Sequence, residues 1–125
     1  MRVLLIDDHA VVRRGIRAIL EDAIAGVAVS EADCGDAALD LLGREPFDAA
    51  VLDLSMPGRS GLELLGDVKK RCPDLPILVM SLHAEEQFAA RTQRAGAAGY
   101  LTKSSAPEKL VDALIAIVKT PTKTQ

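Results

Sequence analysis

Five short apolar runs punctuate this chain, and between them apolar residues recur at the spacing of a helix face. Val3-Leu4-Leu5-Ile6 is the first run, and a continuous stretch of this length suits a strand covered on both faces. Val12, Ile16, Ile19 and Leu20 follow at helical spacing with Arg13, Arg14 and Arg17 between them, and this helix should fade near Asp22, before Gly26. Gly15 inside it costs up to about 1 kcal/mol against Ala, and is expected to admit a close neighbour. Val27 to Ala32 reads as a second strand. Gly35 and Asp36 open a short helix carrying Ala38, Leu39, Leu41 and Leu42, with Gly43 and Pro46 closing it. Ala49 to Asp53 is the third strand, and a Pro-Gly turn, Pro57-Gly58, comes soon after it. The next helix is expected to start at Ser60, which is spaced from Glu63 as in a capping box, with Leu62, Leu64, Leu65 and Val68 on its apolar side. Lys69, Lys70 and Arg71 fall in its last turn, where cations suit the helix dipole.

Ile77-Leu78-Val79-Met80 is the fourth strand and ends at Ser81. A fourth helix spans roughly Glu85 to Ala95, with Phe88 as its only large apolar residue and Gly96 as its stop. Tyr100, Leu101 and Thr102 form a short fifth strand with Lys103 at its end. Ser105 and Glu108 repeat the capping-box spacing with Pro107 in the first turn, and Leu110, Val111, Leu114, Ile115 and Val118 line the last helix. The residues after Lys119 are polar, so the chain divides into a domain at 1–119 and a linker or frayed tail at 120–125. Five strands alternating with five helices mean an α/β fold: a doubly wound parallel sheet with right-handed crossovers and helices on both faces. The common five-stranded order for such sheets is 2-1-3-4-5, which is taken over from known folds because the residues alone do not set it.

Composition narrows this picture. A chain of 125 residues is one domain, large enough to bury a core without staples. Aromatics are 2% of it, so Ala, Val, Leu and Ile must build that core. No apolar run has the length of a membrane span, and the first residues lack a signal-peptide layout, which leads us to expect a cytoplasmic protein with no membrane partner. Fifteen Lys and Arg against eighteen Asp and Glu give a formal net charge of -3, with the basic residues scattered; such a domain is a poor direct binder of nucleic acid. Cys34 and Cys72 match no metal spacing and read as reduced thiols.

The candidate chemistry sits where strands end. With strands one and three adjacent, about 4.8 Å apart, Asp7, Asp8 and Asp53 converge at one edge of the sheet. Three carboxylates so close raise one another's pKa unless a cation offsets them, and no Arg or Lys adjoins Asp7 or Asp8 in sequence. Acids with backbone carbonyls and waters suit Mg²⁺. Lys103 can reach in from the fifth strand, and Ser81 supplies a hydroxyl from the fourth. A carboxylate is ionised at neutral pH and needs no general base to attack phosphorus; the obstacle is charge, which Mg²⁺ and Lys103 would neutralise. Asp53 is therefore the candidate nucleophile toward a phosphoryl group. Taken singly, each residue has a plainer reading. Asp7, Asp8 or Asp53 could cap a turn or helix, Lys103 could be a solvated charge, and Ser81 a polar strand terminus. Tyr100 could be core packing with a wet hydroxyl. His9 is expected to open the first helix and His83 to lie in a loop. The coincidence of four strands carrying such residues at the same end favours a site.

The pair Asp7-Asp8 after an apolar strand, Asp53 followed by Met56-Pro57-Gly58, Ser81 after a strand, and Gly99-Tyr100-Leu101-Thr102-Lys103 together resemble the receiver domain of bacterial two-component response regulators, from Val3 to about Val118. Asp7-Asp8-His9 and Ser55-Met56-Pro57-Gly58 look most like the NarL/FixJ group, whose receivers precede a LuxR-type helix-turn-helix. The resemblance implies the flavodoxin-like, CheY-like fold. It implies that Asp53 takes phosphate from a phosphohistidine of a sensor histidine kinase, and that Asp8, Asp53 and the main-chain carbonyl of Ser55 hold Mg²⁺, with Asp7 acting through water. It further implies that Lys103 contacts the phosphoryl group, that Ser81 moves toward it, and that Tyr100 turns inward, changing the partner preference of the face made by the fourth helix, fifth strand and fifth helix. Such a chain catalyses its own phosphorylation and dephosphorylation but works as a signalling switch and not as an enzyme. Two departures stand out. Leu82 is larger than the small residue many receivers carry, and is expected to narrow access to the phosphoryl group or hinder Tyr100. Ser104 stands where many have Pro; a cis bond there would cost about 2.5–4 kcal/mol, so trans is expected. Ser55 and His83 flank the site and are expected to influence phosphate lifetime.

The leading expectation is thus a phosphorylatable switch with a transcriptional output through a DNA-binding domain absent from this chain, since no basic recognition helix precedes the tail. A homodimer would match two-fold DNA sites. Two other classes compete with it. One is a phosphorylation-independent interaction module on the same fold, suggested by Leu82 and the sparse fourth helix. The other is a flavodoxin-like cofactor binder, which Asp8-His9-Ala10 disfavours because it lacks the glycines and hydroxyls that cradle phosphate.

Overall fold

The fold is known from a computed structural model, which describes residues 1–54, 61–81 and 86–119, leaving aside the side chains of residues 86–88, 106 and 119. The elements run β1 (Arg2–Ile6), α1 (Ala10–Ala23), β2 (Ala28–Ala32), α2 (Gly35–Arg44), β3 (Ala49–Asp53), α3 (Gly61–Arg71), β4 (Ile77–Ser81), α4 (Glu86–Arg94), β5 (Gly99–Thr102) and α5 (Ala106–Lys119). All strand pairs are parallel and the sheet order is β2-β1-β3-β4-β5. This is the flavodoxin-like doubly wound arrangement, in which the chain reverses direction across the sheet between β1 and β3.

The continuous apolar runs become the inner strands for a physical reason: each residue faces one of two covered layers. In β1, Val3 and Leu5 join the layer packed under α1 and α5, whereas Leu4 and Ile6 join the layer under α2 and α3. In β3 and β4 the alternation repeats: Val51, Leu78 and Met80 lie on the α1/α5 side, and Ala50, Leu52, Ile77 and Val79 on the other. Both layers are aliphatic, and Leu4, Leu5, Leu52, Leu78 and Leu110 are all at or below 1% exposure. Each such side chain contributes about 1.5–3 kcal/mol by leaving water. The flanking strands β2 and β5 are half-covered, and their sequences are correspondingly less apolar.

Several local expectations change. Gly15 does not admit a close neighbour; a Cβ built there meets nothing within 4 Å. Gly43 does not close α2 but lies inside it, because Arg44 continues the helix and Glu45 caps it through its N–H to the Leu41 carbonyl. His9 is the cap before α1 and not its first helical residue, with extended backbone angles of φ -98° and ψ 106°. Ser105 directly precedes α5, and its hydroxyl donates to the Thr102 carbonyl at 3.1 Å while its oxygen stays able to accept an N–H. β2 begins one residue later than expected, at Ala28. The expected cap at Ser60, the turn at Pro57-Gly58, Leu82 and His83 lie outside the described residues, as does the tail 120–125. Both cysteines are free thiols. No helix among the described residues is long and apolar enough to cross a membrane.

Candidate functional site

Parallel pairing decides which residues meet. Ile6 lies level with Ala32 and Leu52, and Asp53 with Met80, so the carboxyl ends of β1, β3 and β4 form one rim. Ser81 pairs with Thr102, which carries the next residue, Lys103, to the same rim. Backbone hydrogen bonds extend the ladder past the strand ends: Asp7 N–H donates to the Ala32 carbonyl at 3.0 Å, Leu54 N–H to Met80 at 3.0 Å, and Lys103 N–H to Ser81 at 2.8 Å. Four stretches remote in sequence thereby deliver Asp7-Asp8, Asp53, Ser81 and Lys103 to one place.

Asp53 is fully buried, and Lys103 Nζ donates to its Oδ2 at 2.9 Å. Lys103 keeps 19% of its side chain exposed, so only the carboxylate side of the pair is wholly shut off from water. A buried carboxylate needs a charged or hydrogen-bonding partner, and this lysine provides one as a compact point charge. The turn that presents Lys103 is laced by hydroxyls. Thr102 Oγ1 lies 3.0 Å from Ser105 Oγ and 3.3 Å from Ser104 Oγ, and Ser105 N–H donates to the Thr102 carbonyl at 3.1 Å. These contacts brace a segment that has no proline, and the Lys103–Ser104 peptide is trans.

Asp7 is 2% exposed. Its Oδ1 accepts the His9 main-chain N–H at 2.8 Å, while His9 Nδ1 approaches Oδ1 at 3.3 Å. Burial pushes the Asp7 carboxyl above its ordinary pKa; the His9 N–H opposes this, the charge of Asp53 adds to it, and Lys103 and the His9 ring oppose it again. Asp8 Oδ1 stands 3.0 Å from His9 Nδ1, close enough to pair but without hydrogen-bond geometry. Asp7 Oδ2 and Asp8 Oδ1 are both buried atoms with no hydrogen-bond partner. One candidate ligand atom from each of Asp7, Asp8, His9 and Asp53 lies within 4.8 Å of the others. Buried carboxylate oxygens left without donors, on a cluster this tight, fit a hard divalent cation.

Ser81 is 1% exposed at the end of β4. Tyr100 is half-buried on β5 and packs against the layer under α2 and α3. Ser55 lies outside the described residues. Sequence reasoning misses two contributors. The pattern marks His9 only as a helix residue, although its N–H and ring both address the acids. Arg13 donates from Nη1 to the Asp7 main-chain carbonyl at 2.6 Å. The available signal is its place in the first turn of a helix that starts beside the acids; a contact to a carbonyl leaves no mark in the residue pattern.

The site stands beside a consistent set of relatives. Residues 3–115 match the response regulator receiver domain family. The response regulator UvrY of Escherichia coli is 41% identical over 114 residues, covering 91% of this chain and 52% of that protein. The response regulator GacA of Pseudomonas aeruginosa is 38% identical over 114 residues, covering 91% of this chain and 53% of its own. The chain thus spans about half the length of the curated relatives it matches. Among solved structures, a LuxR-family two-component response regulator from Aurantimonas sp. superposes with a TM-score of 0.87 at 38% identity, over 94% of this chain and 84% of that one. A Burkholderia pseudomallei response regulator, solved with a phosphorylated aspartic acid, a calcium ion and citrate, gives a TM-score of 0.80 at 34% identity over 90% of this chain and 65% of that one. With the fold, the acid cluster and these likenesses in agreement, the chain belongs to the response regulator receiver domain family.

Proposed function

We propose that Asp53 is the phosphoacceptor of this receiver. The observation that carries the reading is a fully buried carboxylate with an ammonium at 2.9 Å and two further acids that each hold one buried oxygen without a hydrogen-bond donor. An Asp53 oxygen attacks the phosphorus of a phosphohistidine on a sensor histidine kinase. The P–N bond breaks, its electron pair stays on the imidazole nitrogen, and an acyl phosphate forms on Asp53. Lys103 neutralises charge on the phosphoryl oxygens as they approach, and the Ser81 hydroxyl hydrogen-bonds one of them in the product. Mg²⁺ is the cation we assign to the acids, with Asp8, Asp53 and the main-chain carbonyl of Ser55 as ligands and Asp7 acting through water. When bound, it supplies further neutralisation of the phosphoryl oxygens.

The added charge biases an element with two arrangements, and we assign that element to Ser81 and Tyr100, next to α4, β5 and α5. The output is transcriptional, through a C-terminal helix-turn-helix beyond this chain, with homodimerisation matching two-fold DNA sites. In this reading residues 1–119 are the receiver and 120–125 lead onward. The protein works in the cytoplasm as a switch and turns over no substrate other than its own phosphoryl group. Incubation with Mg²⁺ and a small phosphodonor, followed by intact-mass measurement, tests the reading. One phosphoryl group should appear on wild type and none on Asp53→Ala. An unmodified wild type, or equal labelling of both proteins, would refute it.

A further inference from the structure

We propose that Arg13 is a positioning residue for the metal-binding acids, holding the Asp7-Asp8 turn through the main-chain carbonyl of Asp7. The inference rests on the reading of that cluster as a Mg²⁺ site. Arg13 is the fourth residue of α1, and its guanidinium bridges two parts of the sheet rim. Nη1 donates to the Asp7 carbonyl at 2.6 Å, and Nε donates to Glu31 Oε1 at 2.8 Å. The other Glu31 oxygen accepts Arg17 Nη1 at 2.8 Å. Glu31 is on β2, level with Leu5 of β1 and one residue before Ala32, whose carbonyl accepts the Asp7 N–H at 3.0 Å.

Asp7 is therefore tied at both ends of its backbone. Its N–H is fixed to β2 directly, and its C=O is fixed to β2 through Arg13 and Glu31. Its Oδ1 is taken by the His9 N–H, which leaves Oδ2 without a donor. The Asp7 carbonyl shares a peptide plane with Asp8, so locking that carbonyl also sets where the Asp8 side chain begins. The bracket is largely sheltered, with Arg13 at 16% and Glu31 at 23% side-chain exposure. It is unlike the Arg17–Glu21 pair further along α1, which is 41% and 49% exposed. Burial keeps the geometry from being averaged away by water, and the planar fork of arginine serves both acceptors at fixed angles, which a lysine cannot do. Losing a partner that orients a metal ligand typically costs about 10–100-fold in metal affinity.

Calorimetric titration of the chain with Mg²⁺ tests this, with far-UV circular dichroism confirming that each variant is folded. Arg13→Ala should weaken Mg²⁺ binding about tenfold, the lower end of what losing a ligand-orienting partner costs. Arg13→Lys, which retains one donor toward Asp7, should fall between Arg13→Ala and wild type. Arg17→Ala, which loosens Glu31 without touching the Asp7 carbonyl, should bind nearly as wild type does. A folded Arg13→Ala with wild-type affinity, or an Arg17→Ala weakened as much as Arg13→Ala, overturns the inference. If Arg13→Ala does not fold, Arg13→Lys decides: weakened binding supports the inference and wild-type affinity overturns it. A wild type that takes up no Mg²⁺ withdraws the proposed site and this inference together, whereas normal wild-type binding with an unaffected Arg13 variant withdraws this inference alone.

Discussion

Charge held out of water governs the residue scale. Asp53 has no exposure and Asp7 has 2%, and the Lys103 ammonium reaches Asp53 at 2.9 Å. Replacing Lys103 by Met would leave that carboxylate among like charges. Breaking a buried pair costs about 3–5 kcal/mol, and the 19% exposure of Lys103 puts the expected loss at the lower end. The urea midpoint should fall accordingly, and Asp53→Asn in the same chain should recover most of the loss; an unshifted midpoint for Lys103→Met would speak against the pairing. Asp7 yields a pH prediction. Its folded pKa is raised, so between its unfolded value and that raised value the folded state holds the extra proton. Stability contributed by the protonated carboxyl is present below the unfolded pKa and is lost as pH rises through the folded one. Without metal, wild type should lose stability relative to Asp7→Asn as pH climbs from about 4 toward neutrality; parallel profiles for the two proteins would contradict this. At this scale the acids and Lys103 were legible because each is a charge ending an apolar run. Arg13 was not, because its partner is a main-chain carbonyl six residues back, and every residue has one.

Elements were legible where burial on both faces removes ambiguity. Val3–Ile6, Ala49–Leu52 and Ile77–Met80 carry no polar residue, and they are the inner strands. Helix ends were less legible because a glycine weakens a helix without having to end it. Gly43 reads as a stop, but α2 runs on to Arg44 and is capped by the Glu45 N–H on the Leu41 carbonyl. Two glycines show how the same residue type can carry opposite meanings. At Gly15 a Cβ would enter open space inside α1, so Gly15→Ala should raise stability by up to about 1 kcal/mol. At Gly61, where α3 starts, a Cβ would lie 2.8 Å from Leu54 Cα and 2.9 Å from the Leu54 carbonyl oxygen. Those are backbone atoms directly after Asp53, so Gly61→Ala must push α3 off the end of β3 at a cost of about 1–3 kcal/mol. Paired denaturation curves check both signs, and stabilisation by Gly61→Ala would show that α3 does not crowd that strand end.

The molecule as a whole turns separate weak signals into one site. Strand order did this, and it was the part least written in the residues; the apolar runs fix the strands but not which lie side by side, and the order came from known folds. Once β1 and β3 are neighbours and β5 follows β4, the acids and Lys103 must share a rim. A cation that binds only the folded state then couples the rim to global stability. At a hundred times its Kd, Mg²⁺ should raise the unfolding free energy by about 2.7 kcal/mol, and Asp8→Ala should lose much of that gain. The most direct measurement of the central claim is peptide-level mapping of the phosphoryl group after exposure to a small phosphodonor, with Mg²⁺ and with a chelator. The account predicts modification in the peptide containing Asp53, and only with Mg²⁺ present. Modification at another residue, or equal modification of Asp53 in the chelator, would contradict it.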